Sequence, residues 1–245
     1  MNSFGLTDRG KVRHDNQDSF AIERIDERNC LLAVLCDGMG GEKAGNIASD
    51  LAVKSFVSSA GAAVRQETRH GADFAPALER ACAEANNIVY AYSCFDSEYT
   101  GMGTTIVAAL LIGNRTYILN VGDSRAYKLS GSRLTQISRD HSLVQDMVDR
   151  GEITALGARV HPRRNVITRA LGVDETVPCD IFTPRLRPGD RLLLCSDGLT
   201  NMVMDEEIVS IARKNPDLYS FGRALMDAAL ARGARDNVTV VVISK

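Results

Sequence analysis

Leu31-Leu32-Ala33-Val34-Leu35-Cys36-Asp37-Gly38-Met39-Gly40-Gly41 carries six apolar residues straight into a carboxylate and a glycine-rich turn. The apolar run is short and bounded, as a buried strand is. Asp37 is expected where that strand leaves the core. The glycines remove the side chains that would keep an ion or a ligand away from the backbone.

Residues 19–25, with Phe20, Ile22 and Ile25, predict a strand that joins this one as a hairpin through the polar turn 26–29. After the glycines the period changes. Ala44, Ile47, Ala48, Leu51, Ala52 and Phe56 fit one face of a helix, and a second helix is expected over about 74–92. The middle of the chain reads as strands at 104–112, 116–121, 125–129 and 133–137. Residues 138–174 form a polar, arginine-rich excursion with a short amphipathic helix over Leu143, Val144, Met147 and Val148. Its length marks it as a functional flap rather than a passive connection. Strands at 177–182 and 191–195, helices at 206–213 and 218–232, and a last strand at 238–243 complete the chain. Sequence-adjacent strands interrupted by paired helices point to an α+β protein with a largely antiparallel sheet or sandwich, not to a doubly wound fold. The glycines between Gly38 and Gly45 match neither G-K-[ST] nor G-x-G-x-x-G, which disfavours a nucleotide fold.

With 245 residues, 44% of them hydrophobic, the chain can bury one full core, and residues 1–245 are read as a single domain. A formal charge of −2 provides no basic surface, so neither nucleic acid nor an anionic membrane is an expected partner. No apolar run approaches the ~20 residues that span a bilayer, and the first ten residues lack the basic and hydrophobic regions of a leader. Cys30, Cys36, Cys82, Cys94, Cys179 and Cys195 are scattered without a C-x-x-C pair. They read as reduced thiols of a cytoplasmic protein, with Cys30, Cys36 and Cys195 as small core residues and no cysteine-phosphatase loop.

Four acids share one kind of position. Asp37 ends LLAVLC, Asp123 ends YILNVG, Asp197 ends RLLLCS, and Asp236 precedes VTVVVI. Each alone is ordinary turn chemistry. Together with Asp18, and with their strands as neighbours, they would meet at one edge of the core. Carboxylates so close raise one another's pKa unless a strong counter-charge is present. An all-oxygen set without a His or Cys cluster favours Mg²⁺ or Mn²⁺ over Zn²⁺.

The motifs R-x-x-N-Q-D (13–18), D-G-M-G-G (37–41), G-x-G-T-T (101–105), G-D-S-R (122–125), S-D-G-L (196–199) and D-N-V-T (236–239) follow one another in order. In this the chain resembles the PPM, or protein phosphatase 2C-like, family of metal-dependent protein serine/threonine phosphatases, in its bacterial form. The resemblance implies a four-layer αββα sandwich, two mostly antiparallel sheets flanked by helix pairs, with two Mn²⁺ or Mg²⁺ ions at one end. It implies that Asp37 bridges the ions, that the Gly38 carbonyl ligates one, and that Asp197 and Asp236 hold the other. Asp18 would act through metal-bound water, and a third, weaker ion would sit by Asp123 and Asp197. Arg13 would grip the substrate phosphate, its planar fork matching two oxygens, with the flap at 138–174 beside it. A metal-bridging hydroxide would attack phosphoserine or phosphothreonine of protein substrates directly.

Two positions depart from the eukaryotic pattern of the family: Met39 stands where many members have a histidine, and Gln17 where they often have glutamate. A thioether donates no proton, so protonation of the leaving group would fall to metal-bound water or another residue, with His14 and His161 as candidates. The expected setting is a monomer opposing a bacterial Ser/Thr kinase. The alternatives are a stress-regulatory phosphatase with one dedicated partner and a catalytically inactive phosphoprotein-binding module.

Overall fold

The computed structural model describes residues 1–41, 44–69, 71–95 and 97–245. The first half of the chain runs β1 (Asn2–Asp8), β2 (Asp18–Ile25), β3 (Cys30–Met39), α1 (Ala44–Gln66), α2 (Ala75–Phe95), β4 (Gly103–Thr104), β5 (Ile106–Ile112) and β6 (Arg115–Val121). The second half runs β7 (Arg125–Ser130), β8 (Arg133–Gln136), α3 (Leu143–Asp149), α4 (Ala155–Val160), β9 (Asp180–Phe182), β10 (Arg191–Cys195), α5 (Asp197–Thr200), α6 (Asp205–Lys214), α7 (Leu218–Ala231) and β11 (Val238–Ser244).

Two antiparallel sheets result, in the orders β1-β11-β10-β7-β8 and β2-β3-β5-β6-β9, with β4 pairing the end of β3. Side-chain alternation stacks them. From β3, Leu32, Val34 and Cys36 meet Ala48, Phe56 and Leu78 of α1 and α2. Its opposite face, Leu31, Ala33 and Leu35, meets Leu192, Leu194, Val241 and Ile243 of the other sheet. Val238, Val240 and Val242 of β11 then pack on Ile208, Phe221 and Leu225 of α6 and α7. The expected αββα sandwich follows, and β3 and β11 are near-continuous apolar runs because both of their faces are covered.

Several boundaries differ from the sequence reading. β3 does not end at Asp37; it continues to Met39, because Asp18 pairs Asp37 on one side and Thr104 pairs Gly38 on the other. β1 was not expected, since Phe4 and Leu6 are its only large apolar residues; it exists because it pairs β11 along its whole length and lays both side chains against the α7 layer. α4 and α5 are too short for a period to register. Among the described residues, α1 is the one helix long and apolar enough, by length and composition, to cross a membrane, although Asn46, Asp50 and Lys54 interrupt its apolar run. Here that apolar surface is used otherwise, with Ala48, Ala52, Phe56 and Ala60 buried in the layer against β3 and α2.

The segment 138–174 holds α3 and α4, is closed on itself by the Ser142–Ile167 bridge, and is tied to β4 by the Thr104–Leu171 bridge. It therefore returns to the end of the sandwich where β3 and β4 meet.

Phe56 has no exposed surface. Its replacement by alanine is expected to cost about 3–5 kcal/mol, read from the urea unfolding midpoint. A loss below about 1 kcal/mol would contradict this packing.

Candidate metal centre

Asp18 joins the two sheets. It opens β2 opposite Asp37 of β3, and its Oδ2 accepts hydrogen bonds from Ser196 Oγ (2.8 Å) and Thr239 Oγ1 (2.7 Å), at the end of β10 and in β11. Asp197 follows Ser196 directly, and Asp236 lies two residues before β11. The Asp123 turn is linked through Thr105, whose Oγ1 accepts the Asp37 N–H at 3.0 Å and pairs with Ser124 Oγ at 2.8 Å. Thus Asp18, Asp37, Asp123, Asp197 and Asp236 are brought together from both sheets.

The two D-G motifs share a steric reason for glycine. A Cβ on Gly38 would lie 2.0 Å from the Gly45 carbonyl oxygen, and one on Gly198 would lie 1.9 Å from that of Asn237. Backbone passes too close to backbone for any side chain.

Charge is unbalanced at this edge. Burial, reinforced by neighbouring carboxylates, pushes Asp18 from 3.8 up to about 7 and Asp197 up to about 6, and holds Asp37 and Asp123 well above the usual range. Arg13 Nη2 donates to Asp236 Oδ2 at 2.8 Å and lies within electrostatic reach of Asp37 and Asp197. Arg125 offsets Asp123 and Asp197 in part, but its own fork is closed on Asp140 at 2.7–3.0 Å. The buried Asp18 Oδ1 has no hydrogen-bond partner among the described residues. An orphaned carboxylate oxygen within a ring of mutually repelling acids suits a divalent cation. Among the described residues no three His, Cys, Asp or Glu side chains close into a ready-made cage. An open, all-carboxylate rim fits a hard cation such as Mg²⁺, which retains several waters and takes only one or two carboxylates directly. Asp37, Asp123, Asp197 and Asp236 all keep some solvent exposure, while Asp18 behind them is buried.

The polar residues that hold this ring were not singled out from the sequence. Asn237 accepts the Gln17 N–H and donates to the Arg9 and Asp15 carbonyls, all at 2.9 Å, which fixes the exposed segment bearing Arg13. Ser196, Thr239 and Thr105 lie inside the recognised motifs, and Thr239 stands out as a hydroxyl within an otherwise valine-rich strand. His141, in the flap, accepts the Gly122 N–H on Nδ1 at 3.1 Å, so its proton belongs on Nε2, facing Asp180 Oδ2 at 3.1 Å. Its burial lowers its pKa and keeps it neutral.

Gln17 has a structural use here: its carbonyl accepts the Gly38 N–H at 3.0 Å and its Nε2 donates to the Gly41 carbonyl at 3.2 Å. Met39 packs its methyl over Gly103, where a Cβ would lie 2.7 Å away. The His161 ring accepts the Arg163 N–H within its own turn, and His14 is exposed on the Arg13 segment. Cys179 does have an arginine six positions on, Arg185, which is the spacing of a cysteine-phosphatase loop. The intervening Asp180–Phe182 is strand β9, paired with 118–120, so no phosphate-cradling loop forms. A cavity of about 340 Å³ lies between the flap and α5–α6, with Asp123, Arg125, Asp140, Leu156, Arg159 and Asp197 in its wall. Arg159 spans it, donating to the Thr200 carbonyl at 2.7 Å.

A carboxyl whose folded pKa is raised holds its proton more tightly folded than unfolded, so its stability contribution is full below about 4 and is lost as pH rises through the folded value. For Asp18 that window runs from 3.8 to about 7. In EDTA, Asp18→Asn is therefore expected to gain stability relative to the parent as pH rises from about 4 to about 7, by an amount of the order of 1.4 kcal/mol per unit of raised pKa, read by urea unfolding at each pH. A difference between the two proteins that does not change with pH would contradict the burial of an ionising Asp18.

Known proteins are similar to this chain in sequence and in fold. A sequence model of the family described as "Protein phosphatase 2C" matches residues 11–239. The serine/threonine phosphatase stp of Listeria monocytogenes is 37% identical over 239 residues, covering 98% of this chain and 94% of the relative. The serine/threonine protein phosphatase PstP of Mycobacterium tuberculosis is 40% identical over 237 residues, covering 96% of this chain and 43% of that longer protein. Among solved structures, serine/threonine phosphatase Stp1 from Staphylococcus aureus superposes with a TM-score of 0.90 at 38% identity, covering 99% of this chain and 94% of that one. The catalytic domain of PstP in complex with two manganese ions gives 0.84 at 37% identity, covering 98% and 96%. With its six motifs, its αββα layers and its ring of carboxylates, the chain belongs to the protein phosphatase 2C family.

Proposed function

We propose that this chain is a metal-dependent protein serine/threonine phosphatase, hydrolysing phosphoserine and phosphothreonine on protein substrates in the cytoplasm and opposing a Ser/Thr kinase. The observation that carries the reading is the ring of five carboxylates drawn from both sheets, with the unpartnered Asp18 Oδ1 inside it and Arg13 at its rim. Its relatives' names as serine/threonine phosphatases support the substrate class.

Asp37, the Gly38 carbonyl, Asp197 and Asp236 would hold two Mn²⁺ or Mg²⁺ ions, with Asp123 and Asp197 offering a place for a weaker third. When bound, such ions supply Lewis-acid polarisation of phosphoryl oxygens and a nucleophilic water at neutral pH. The chain's own residues do the rest. Asp18, fixed by Ser196 and Thr239, holds the back of the ring in one orientation. Arg13 spends one guanidinium nitrogen on Asp236, and the remainder of its exposed fork is available to two phosphate oxygens. Asn237 keeps that fork at the rim by anchoring the backbone on both sides of it. The flap, docked through Arg159, borders the side on which a phosphoprotein segment would lie.

With a phosphothreonine peptide, EDTA should abolish turnover and Mn²⁺ should restore it. Asp37→Asn should lower kcat by more than about 100-fold, beyond the 10–100-fold loss typical of residues that only orient ligands. Full turnover in EDTA, or in Asp37→Asn with Mn²⁺, would sink the proposal. Arg13→Lys should lose about 10-fold or more in kcat/KM, chiefly through KM, because a point charge replaces a two-pronged fork. An unchanged KM would remove Arg13 from phosphate recognition.

A further inference from the structure

Gly122 directly precedes Asp123, and no larger residue fits there: its φ is +104°, and a Cβ would lie 2.5 Å from Thr105 Cγ2. Glycine is also the residue with the most freedom about φ and ψ. Placed immediately before a carboxylate that is to meet an ion, it is a swivel. The turn therefore needs a lock.

His141, near the start of the flap and 1% exposed, grips both of the peptide groups that Gly122 joins. Its Nδ1 accepts the Gly122 N–H at 3.1 Å, and its own backbone N–H donates to the Gly122 carbonyl at 2.9 Å. The first contact holds the plane of the 121–122 peptide and the second holds that of the 122–123 peptide. The rotations between two rigid peptide planes are φ and ψ, so one residue fixes both. Asn120 Nδ2 adds a further donor to the same carbonyl at 3.2 Å and ties it to the Arg139 carbonyl at 2.9 Å. On the amide side the contact is the imidazole's.

The ring is itself oriented from behind. With Nδ1 accepting, the proton sits on Nε2, which faces Asp180 Oδ2 at 3.1 Å, while Arg169 Nη1 holds the other oxygen of Asp180 at 3.1 Å. Asp180 stands on β9 opposite Asn120 of β6, and the Thr168 N–H closes on the His141 carbonyl at 2.8 Å. A carboxylate on one ring nitrogen sets the tautomer and orientation of the other. Here the second nitrogen meets backbone, one residue away from Asp123.

We infer that His141 is the positioning residue of Asp123: by locking Gly122 it aims that carboxylate at the place of the weaker ion. It touches neither cation nor substrate and carries no proton in the reaction. Resting on the proposed reading of Asp123 as a cation ligand, this assigns what holds that ligand. It also gives the flap a share in the metal centre, because the lock belongs to the flap.

Asparagine and glutamine separate the two ends of the imidazole. The Asn Oδ1 takes the place of Nδ1 and accepts the Gly122 N–H, whereas the Gln amide reaches the place of Nε2 and serves only Asp180. Mn²⁺ binding to the full chain is counted by electron paramagnetic resonance of the free ion, and amide exchange over 120–124 is followed in EDTA by mass spectrometry. With His141→Gln the weakest-bound ion should need about 10-fold more Mn²⁺ for half-saturation, as is typical where an orienting residue is lost, with the tighter ions unchanged. Its 120–124 amides should also exchange faster. His141→Asn should bring both readouts to within about 3-fold of the parent, and Asp123→Asn should lose the weakest ion altogether. Native circular dichroism is required of each variant. If His141→Gln fails it, Asp180→Ala, at a side chain 34% exposed, takes its place and should weaken the same ion and no other. Parental Mn²⁺ binding in Asp123→Asn would overturn the reading of Asp123 as a ligand, and the inference with it. Loss of the weakest ion in Asp123→Asn, with parental binding in His141→Gln or in its substitute, would overturn the inference alone. Glutamine matching the parent better than asparagine would do the same.

Discussion

The Asp18 carboxylate is the contact on which the site depends. It begins β2, stands opposite Asp37, and takes hydroxyl hydrogen bonds from the other sheet through Ser196 and Thr239. One oxygen is therefore committed to joining the sheets, and the other has no partner among the described residues. Burying a carboxylate is costly unless it is paired. A fold that brings Asp37, Asp123, Asp197 and Asp236 around such a group carries an electrostatic penalty, which a divalent cation would relieve. Architecture and chemistry meet at this point, since the contacts that close the sandwich also leave it short of positive charge.

The supporting residues follow from the same constraint. Acids that repel one another must be held by something other than their mutual interaction, and here they are held by backbone. Gly38 and Gly198 permit strand and loop to approach without a Cβ, Thr105 ties the Asp37 and Asp123 turns, and Asn237 clamps the Arg13 segment to the last strand. Gln17 braces the glycine turn through its own carbonyl and side chain. Each support is neutral, so none of them competes with a cation for the carboxylates.

Much of this was legible in the sequence, and the exceptions have physical causes. Two-sided burial writes a strand as a continuous apolar run, which is why β3, β10 and β11 were readable, and the acids at their ends stood out against them. β1 was missed because its order comes from pairing with β11 rather than from its own pattern. Asp37 was placed at a strand end, whereas pairing on both sides carries β3 two residues further. Asn237 could not be distinguished from ordinary turn chemistry, because its partners at Arg9, Asp15 and Gln17 lie more than two hundred residues away. The length of α1 was underestimated, since a helix rich in alanine and serine shows little periodicity until the surfaces that cover it are known. The arginine six positions after Cys179 shows the reverse case, a spacing whose chemical meaning is cancelled by the strand that fills it.

Cations bound within the carboxylate ring would hold the site together, and anomalous scattering from crystals grown with Mn²⁺ tests this directly. Two manganese peaks bordered by Asp37, Asp197 and Asp236 are predicted, with Asp18 behind them. Well-ordered crystals at saturating Mn²⁺ with no peak inside that ring, or with manganese bound only elsewhere on the surface, would contradict it.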